Sequence, residues 1–383
     1  MNWLTGGRFA QGEAKRLIAQ LADSTKRDLA AKELIKLGAD SVPPLIDALQ
    51  TQDLSLLLYY QQILARISSA TLPLTKALAT AQPTVRARVA ETLGISKDKS
   101  AIPALLDALK DEYFTVRWRA VIALGNIGDV QTIPFLLPFL KDKDEEVRSA
   151  ACTSIGKFRD PSTFDEITNV LLDDPKIEVR RSAAIALGET KHPAAIPFLM
   201  EALRDSYWWF EREQAAADLL NAIEKMGPAA VEPLIEALGD KEGTVRKFAA
   251  TVLGNLGDPR AMEELGMALY DLYHEVGETA AEALAKFGAK AVELLIESLN
   301  HPEAAIREHA ILALAKIRDA RVAPVLIEML HDSERMNRKQ AMLALGALGD
   351  SRALPALQEI ASNRADRELA MLAKQILERI HSS

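Results

Sequence analysis

Histidine and cysteine are the side chains of this sequence that could serve as bases, nucleophiles or metal ligands, and they are few. A metal centre or a histidine base needs such side chains at a spacing that one element can bring together. The single cysteine, Cys152, lies in an alanine-rich segment, where an inert core thiol is expected, and it cannot form an intrachain disulfide. The six histidines show no spacing of the type His-x-x-x-His and stand at His192, His274, His301, His309, His331 and His381. The sequence therefore predicts no catalytic residue, no metal site and no cofactor, and an enzyme is the less favoured class.

Charged residues recur in a regular series along most of the chain. Arginine follows valine in several segments, and acidic residues stand a few positions ahead of it, as Asp142 and Asp144 do before Arg148 and as Asp173 and Asp174 do before Arg180. A half-buried arginine needs partners of this kind. The recurrence predicts a structural ladder that links neighbouring units of a repeat, and it does not indicate catalysis.

The repeat has a period of about 31 residues, which indicates a solenoid. Residues three, six and seven after each anchor are small or apolar, as in Ala120, Ala123 and Leu124, and this spacing draws an apolar stripe along one helix face. The anchors, spaced by 31, 31, 32, 32, 34, 31, 30 and 31 residues, are Arg86, Arg117, Arg148, Arg180, Arg212, Arg246, Gly277, Arg307 and Arg338. Each anchor marks the first helix of a pair.

A second helix follows each first helix after a turn signal. Gly128-Asp129 is one such signal, because glycine ends a helix readily, and Pro103 near the start of the next helix removes no helical hydrogen bond. Two helices of this size cannot cover their own apolar faces, so neighbouring pairs must stack. The predicted fold is an all-α solenoid, or superhelix, of about eleven helix pairs.

The domain prediction is one continuous solenoid over residues 1–383. Residues 1–81 are degenerate repeats that cap the N-terminal end, residues 82–362 are regular repeats, and residues 363–383 form a C-terminal capping helix. End units are expected to be atypical because one of their faces meets water.

Composition and charge restrict the classes of partner that the chain is expected to bind and the cellular compartment in which it is expected. A formal net charge of −8 argues against general nucleic-acid binding, which needs clustered Lys and Arg. No apolar stretch approaches the ~20 residues that cross a bilayer, and Met1 to Phe9 lacks the apolar run of a secretory signal. With one cysteine and no membrane segment, the sequence predicts a soluble cytoplasmic protein.

The repeated Val-Arg, Ala-Leu-Gly and Gly-Asp motifs resemble HEAT repeats of the phycobilisome-lyase-like type over nearly the whole chain. That resemblance implies an α-solenoid, and its lyase branch attaches or removes linear tetrapyrroles on light-harvesting proteins. Deoxyhypusine hydroxylases are similar in fold but hold two iron atoms with several His-Glu pairs, whereas this chain has only His274-Glu275. The HEAT-like alkylpurine glycosylases use a basic groove, which the acidic balance disfavours.

The resemblance also implies that the Val-Arg helices line a concave groove. Positions one, two and five after each anchor would then face a partner, and tryptophan and arginine are the side chains that dominate interface energies. The candidate partner-binding residues are Arg88, Trp118, Arg119, Ile122, Arg181, Ile185, Lys247 and Phe248. Ordinary surface charge is the alternative interpretation of these positions.

A dense aromatic cluster, Tyr207, Trp208, Trp209 and Phe210, stands in a turn between two helices. Exposed, it would form an apolar docking patch; folded back, it would cap its own unit. The leading hypothesis is a non-catalytic scaffold that binds another protein or peptide in the groove. A phycobilin lyase-type factor is the alternative, and a homo-oligomeric solenoid is a third hypothesis.

Overall fold

All regular structure in the described residues is helical. A computed structural model describes residues 3–204, 213–363 and 365–382, and these ranges contain helices and turns but no strand. The all-α prediction is confirmed. Among the described helices, none combines the length and the apolar character that crossing a bilayer requires.

Twenty-four α-helices form eleven pairs in the described residues, with one further helix before the first pair and one after the last. The first half of the chain contains α1 (Trp3–Gln20), α2 (Arg27–Leu37), α3 (Val42–Ala48), α4 (Leu54–Arg66), α5 (Thr71–Thr80), α6 (Pro83–Ser96), α7 (Ile102–Ala108), α8 (Phe114–Ile127), α9 (Ile133–Leu136), α10 (Glu145–Gly156), α11 (Phe164–Asp173) and α12 (Ile177–Thr190). The second half contains α13 (Ile196–Arg204), α14 (Glu213–Glu224), α15 (Val231–Ala237), α16 (Gly243–Leu256), α17 (Met262–Ala268), α18 (His274–Lys286), α19 (Val292–Ser298), α20 (Ala304–Ile317), α21 (Ala323–Glu328), α22 (Arg335–Leu348), α23 (Leu354–Ser362) and α24 (Arg367–Ser382). The pairs run from α2/α3 to α22/α23, in agreement with the predicted number.

Short 3-10 turns lead into the second helices. They occupy Gly38–Ser41, Ser68–Ala70, Lys99–Ala101, Val130–Thr132, Pro161–Thr163, Pro193–Ala195, Gly227–Ala230, Pro259–Ala261, Gly288–Ala291, Ala320–Val322 and Ser351–Ala353, and two more at Leu137–Lys141 and Met329–His331 extend second helices.

The Gly-Asp motif works at the junction between the two helices of a pair. Gly128 adopts a left-handed conformation with φ of 76°, and its N–H donates to the Leu124 carbonyl at 3.1 Å to end α8. The carboxylate of Asp129 then accepts a hydrogen bond from the backbone N–H of Gln131 at 3.1 Å, which caps the following turn. The motif therefore sets the angle at which the second helix leaves the first.

Neighbouring first helices approach closely at the Leu-Gly motif. A Cβ on Gly156 of α10 would lie 2.7 Å from the Cα of Ala186 in α12, so no larger side chain fits there without backbone movement. The same approach occurs between Gly254 of α16 and Ala283 of α18, also at 2.7 Å from Cα. Small residues at both positions let these first helices pack against each other, and within each unit second helices such as α5 and α11 pack on the first helix that follows them.

The described residues divide into two compact units. The first comprises residues 3–198 and 213–222, and the second comprises residues 199–204 and 223–382. In both units leucine and alanine from the first and second helices fill much of the interior. Helix α1, which the repeat pattern did not predict, supplies the buried Ala14 and Leu17 at the start of the first unit.

Candidate partner-binding surface

The anchoring arginines tie each pair to the next. Arg117 of α8 donates from Nε and Nη2 to the two carboxylate oxygens of Asp142 at 2.9 Å each. Its Nη2 also reaches Asp144 at 2.6 Å, and its Nη1 donates to the backbone carbonyl of Asp111 at 3.0 Å. One guanidinium thus joins the turn before its own helix to the turn before the next first helix. We call such an arginine–aspartate pair a rung.

Rungs recur in both units. Among the anchoring arginines of the described residues, five share this two-point geometry: Arg86–Asp111, Arg117–Asp142, Arg148–Asp174, Arg246–Asp271 and Arg307–Asp332. Burial would raise the pKa of Asp142, but hydrogen bonds from Arg117 and from the Asp144 amide outweigh it, so the pKa lies below its ordinary value. The hydrogen bond to Asp142 raises the pKa of Arg117. The predicted structural ladder is confirmed, and its charges are engaged inside the fold.

Trp118 and Arg119 lie side by side on the outer face of α8. The Arg119 guanidinium stacks 4.2 Å above the Trp118 ring, and both side chains are partly exposed. Arg119 also donates to Glu91 of α6 at 2.5 Å, and Glu91 accepts from Gln61 of α4 at 2.8 Å. A polar chain therefore crosses three first helices and holds the exposed tryptophan in one orientation.

Arg88 and Ile122 complete this part of the surface. Arg88 on α6 donates to the carbonyl oxygens of Leu49 and Thr51, the latter at 2.7 Å, beyond the end of α3. Its charge therefore faces the negative end of a helix. Ile122 is partly exposed on α8, one turn after Trp118.

Arg181 and Ile185 lie on α12. The Arg181 guanidinium pairs with Asp218 of α14 and with Glu178 one turn earlier, the second at 3.2 Å. Ile185 is partly exposed one turn further along. Because Arg119 and Arg181 are both paired with carboxylates, their positive charges are largely neutralised.

The second unit contributes Lys247 and Phe248 on α16. Lys247 forms an ion pair with Glu275 of α18 at 2.7 Å, and Phe248 is partly exposed beside it. The structure therefore places these two on the outer face of a first helix, like the first-unit candidates. The four aromatic residues Tyr207, Trp208, Trp209 and Phe210 lie outside the described residues.

An exposed apolar patch escaped the sequence reasoning. It lies in the second unit, at the end of α17 and in the turn before α18, and consists of Met267, Tyr270, Leu272 and Tyr273. Leu272 is 99% exposed, and the Tyr273 ring packs against the guanidinium of Arg246 at 5.3 Å. The available signal was its position in the sequence, because it stands just ahead of the anchor position Gly277, as the residues Tyr207 to Phe210 stand ahead of Arg212.

Nucleophilic and metal-binding chemistry finds no support in the part of the chain that the structure describes. Burial raises the pKa of the Cys152 thiol to about 12, so the thiol stays protonated near neutral pH. Within residues 3–204, 213–363 and 365–382, no group of three or more His, Cys, Asp or Glu side chains is placed to hold a metal ion.

Sequence comparison matches the chain to the family described as HEAT repeats, over residues 71–144, 133–220, 214–285, 268–339 and 292–378. A curated relative, the phycocyanobilin lyase subunit beta of Pseudanabaena tenuis (strain PCC 7409), is 33% identical over 99 residues, which are 26% of this chain and 33% of the relative. The alignment thus spans about a third of that relative's length.

A solved structure of low sequence identity shows the same fold. The Kap95:Nup1 complex is similar with a TM-score of 0.58 at 15% identity, covering 98% of this chain and 63% of that chain. The complex of CpcE and CpcF of phycocyanin lyase from Nostoc sp. PCC7120 is 20% identical and covers 59% of this chain and 92% of that chain, with a TM-score of 0.37.

Proposed function

The chain belongs to the HEAT-repeat family, and we propose that it is a non-catalytic scaffold that binds another protein or a peptide along its first helices. Stacked repeats expose a continuous series of helix faces, and solenoids use such series to bind extended partners. The residues proposed to contact the partner are those at positions one, two and five after each anchor.

One observation supports this proposal above the others. Five of the recurring arginines are engaged in rungs with aspartates, so stability explains this part of the repeat motif. On the outer face of α8, by contrast, Trp118 is held partly exposed under Arg119, with Ile122 beside it. A rigid aromatic side chain with an adjacent apolar residue is a common anchor of protein interfaces.

The test replaces Trp118 with Ala and Arg119 with Gln. The glutamine avoids placing a second carboxylate against Glu91 while removing the stacked cation. Binding of the partner captured by the wild-type protein should weaken at least tenfold, since a tryptophan anchor contributes about 2 kcal/mol or more. Isothermal calorimetry with that partner measures the change.

A matched control places the same kinds of change on second helices of the same unit. Phe135 of α9 is 53% exposed and Lys110 follows α7 with its side chain 81% exposed, so Phe135→Ala with Lys110→Gln should leave both binding and melting unchanged. Equal binding by the Trp118 variant and this control would remove the first-helix surface from consideration.

The aromatic cluster is proposed as a second contact. Trp208→Ala with Trp209→Ala should weaken capture of the same partner if the cluster docks it. If the cluster instead caps its own unit, the variant should lower the melting temperature and leave the affinity of the folded fraction intact. Comparing the two readouts separates the two roles.

A second candidate function is a phycobilin lyase-type factor that attaches or detaches a chromophore. The 33% identity to a phycocyanobilin lyase subunit over 99 residues favours it. Mixing the pure protein with a phycobilin should then shift and intensify the red absorption band. An unchanged spectrum would contradict this candidate and leave the scaffold in place.

We also propose a cytoplasmic location and no direct role for nucleic acid, from the acidic net charge of −8 and the single buried cysteine. The remaining alternative is that the partner is a second copy of this chain. Light scattering of the pure protein decides it, since a monomer has a mass of 41.9 kDa.

A further inference from the structure

One rung of the second unit is replaced on both sides. Gly277 stands at the anchor position of α18, where the neighbouring first helices α16 and α20 carry Arg246 and Arg307. His301 stands six residues before Arg307, at the position that Asp271 and Asp332 occupy before the adjacent anchors. Because the arginine and the aspartate are both missing, no buried charge is left unpaired.

A histidine fills the space that the missing arginine leaves. A Cβ on Gly277 would lie 2.7 Å from Cε1 and 2.8 Å from Nδ1 of His309, which projects from α20 toward α18. His309 is 3% exposed, and its Nε2 lies 3.0 Å from Nδ1 of His274, the first residue of α18. The two rings, 4.7 Å apart at their centroids, thus form the contact between these helices where other pairs have a rung.

The contact between the two imidazoles holds one proton. One nitrogen must donate and the other accept, so at least one of the two rings must be neutral. If both rings were protonated, two N–H groups would point at each other within the 3.0 Å separation of Nε2 and Nδ1, and two positive charges would repel. The other nitrogen of His309, Nδ1, is buried and has no hydrogen bond of good geometry.

We propose that the His274–His309 contact is a pH-sensitive latch that holds α18 against α20 near neutral pH and releases their local packing in mildly acidic solution. The latch borders a cleft of about 200 Å³ on the outer face of the same helices, lined by residues that include Glu278, Glu282, His309 and Lys316. Release would therefore alter a surface of the kind that the proposed function uses, but the latch does not depend on that function.

The charged groups around His309 come from each helix packed against α20. On α18, Glu278 is the carboxylate whose charge favours protonation of His309, and the Leu269 carbonyl beyond α17 acts in the same direction. Glu282 of α18 is paired with Lys316 of α20 at 2.5 Å. Of the glutamates of α19, Glu293 pairs with Arg321, and both Glu293 and Glu297 are exposed.

The cations of α22, on the other side of α20, are engaged elsewhere. Arg335 and Lys339 pair with Glu368 of α24, and Arg338 donates to the carbonyl of Asp332. Among the described groups around His309, the Glu278 carboxylate is the one whose charge favours protonation of the imidazole. Burial and the His274 imidazole oppose that protonation.

The effect of burial on the pKa of His309 is larger than the opposing effect of the Glu278 carboxylate. Burial lowers the pKa of His309 below the ordinary histidine value, the His274 charge lowers it further, and Glu278 offsets only part of the effect. The unfolded chain therefore takes up this proton before the native chain does. The latch contributes its full stability above about pH 6.5, and this contribution falls as the pH drops from there toward the lowered native pKa.

Amide hydrogen exchange of the wild-type protein tests the latch directly. After correction for the chemical pH dependence of exchange, the opening constants of α18 and α20 should rise up to about tenfold per pH unit between pH 6.5 and 5, as one proton per opening requires. Helices α6 and α8 contain no histidine and serve as the internal control. A flat profile in α18 and α20, or an equal rise in α6 and α8, would overturn the proposal.

Variants test whether His309 is the residue that causes the acid-dependent rise in exchange. His309→Gln retains a hydrogen-bonding side chain but cannot take up the proton, so the acid-dependent rise in α18 and α20 should disappear. His331→Gln, at an exposed histidine of the same unit, should keep it. An undiminished rise in a folded His309→Gln variant would contradict the assignment, and if that variant does not fold, the wild-type exchange profile still decides whether the latch exists.

Discussion

Arg307 and Asp332 form the most deeply buried rung, with side-chain exposures of 10% and 3%. Both carboxylate oxygens accept from the guanidinium, at 2.6 and 2.8 Å, and one of them also accepts from the Glu334 amide at 2.8 Å. A buried pair of this kind has already lost its hydration, so the loss of one partner leaves the other charge uncompensated. The rung should therefore be sensitive to changes that preserve its shape.

The Asp332→Asn substitution should lower the free energy of unfolding by on the order of 3 kcal/mol, because Arg307 would lose its buried counter-charge. Urea denaturation followed by circular dichroism measures the change. Glu282→Gln, in the exposed pair with Lys316, is the control and should cost less than about 1 kcal/mol. Equal effects of the two substitutions would show that the rungs do not stabilise the fold.

Acid should destabilise the protein through the rungs. The Arg307 hydrogen bond lowers the pKa of Asp332, and the rung arginines hold the pKa values of Asp111, Asp142 and Asp271 below their ordinary range despite burial. These carboxylates therefore contribute stability above about pH 4, the unfolded aspartate value, and the contribution is lost as the pH falls through the lower native values. The urea midpoint should drop between pH 4 and pH 3, and a constant midpoint would be inconsistent with charged rungs.

Some of these residue-scale contacts could be predicted from sequence. The recurrence of Arg117 and Asp142 indicated a ladder because opposite charges repeated in register. The pairing of Arg119 with Glu91, which neutralises the charge of a candidate partner-binding residue, depends on the lateral offset of α6 and α8 and on side-chain rotamers. The contact between His309 and Gly277 could not be predicted from sequence either, since the two residues are 32 positions apart and meet only when two pairs stack.

Glycine at the Leu-Gly motif controls how closely first helices approach. In an exposed helix, alanine is more favourable than glycine by about 1 kcal/mol. At Gly156 the added methyl would lie 2.7 Å from the Cα and from the Cβ of Ala186, so α10 and α12 would have to move apart. The packing loss should exceed the gain in helix propensity.

Gly156→Ala should therefore destabilise the protein by about 1–3 kcal/mol, as overpacking of a close contact does. Gly12→Ala in α1, where no atom lies within 4 Å of the new Cβ, is the same substitution without the clash and should stabilise by up to about 1 kcal/mol. Thermal melting of the two variants shows whether each substitution raises or lowers the stability of the protein. Stabilisation by both would mean that the first helices are not in close contact.

The helix pairs themselves were predictable from sequence because the spacing of apolar residues and the turn motifs agree. Gly128 and Asp129, for example, mark the end of α8 and the cap of the next turn, and both work as predicted. Helix α1 was missed because it lies outside the repeat and carries no anchor. Its assignment depends on packing against α2 and α3, which sequence spacing alone does not reveal.

At the scale of the whole chain, stability should be local, because the most extensive contacts of the described first helices are with helices adjacent to them along the chain. Asp332→Asn should accordingly raise amide exchange in α20 and α22, which its rung joins, and leave α6, α8 and α10 at wild-type rates. Exchange mass spectrometry on peptides from these helices measures the distribution. A uniform rise along the chain would indicate that all repeats unfold as a single cooperative body.

Function at this scale depends on which helix faces remain free. The first helices carry the rung arginines in their first turns and the partly exposed Trp118, Ile122 and Ile185 further along, whereas the second helices expose Phe135 and Met267. The proposed scaffold uses the first set for binding and leaves the second set in water.

Hydroxyl-radical footprinting of the chain, free and bound to its captured partner, compares these two sets most directly. The proposed function predicts that binding reduces oxidation of Trp118, Ile122 and Ile185 and leaves Phe135 and Met267 as reactive as in the free protein. Protection of Phe135 and Met267 with unchanged oxidation of Trp118 would contradict it.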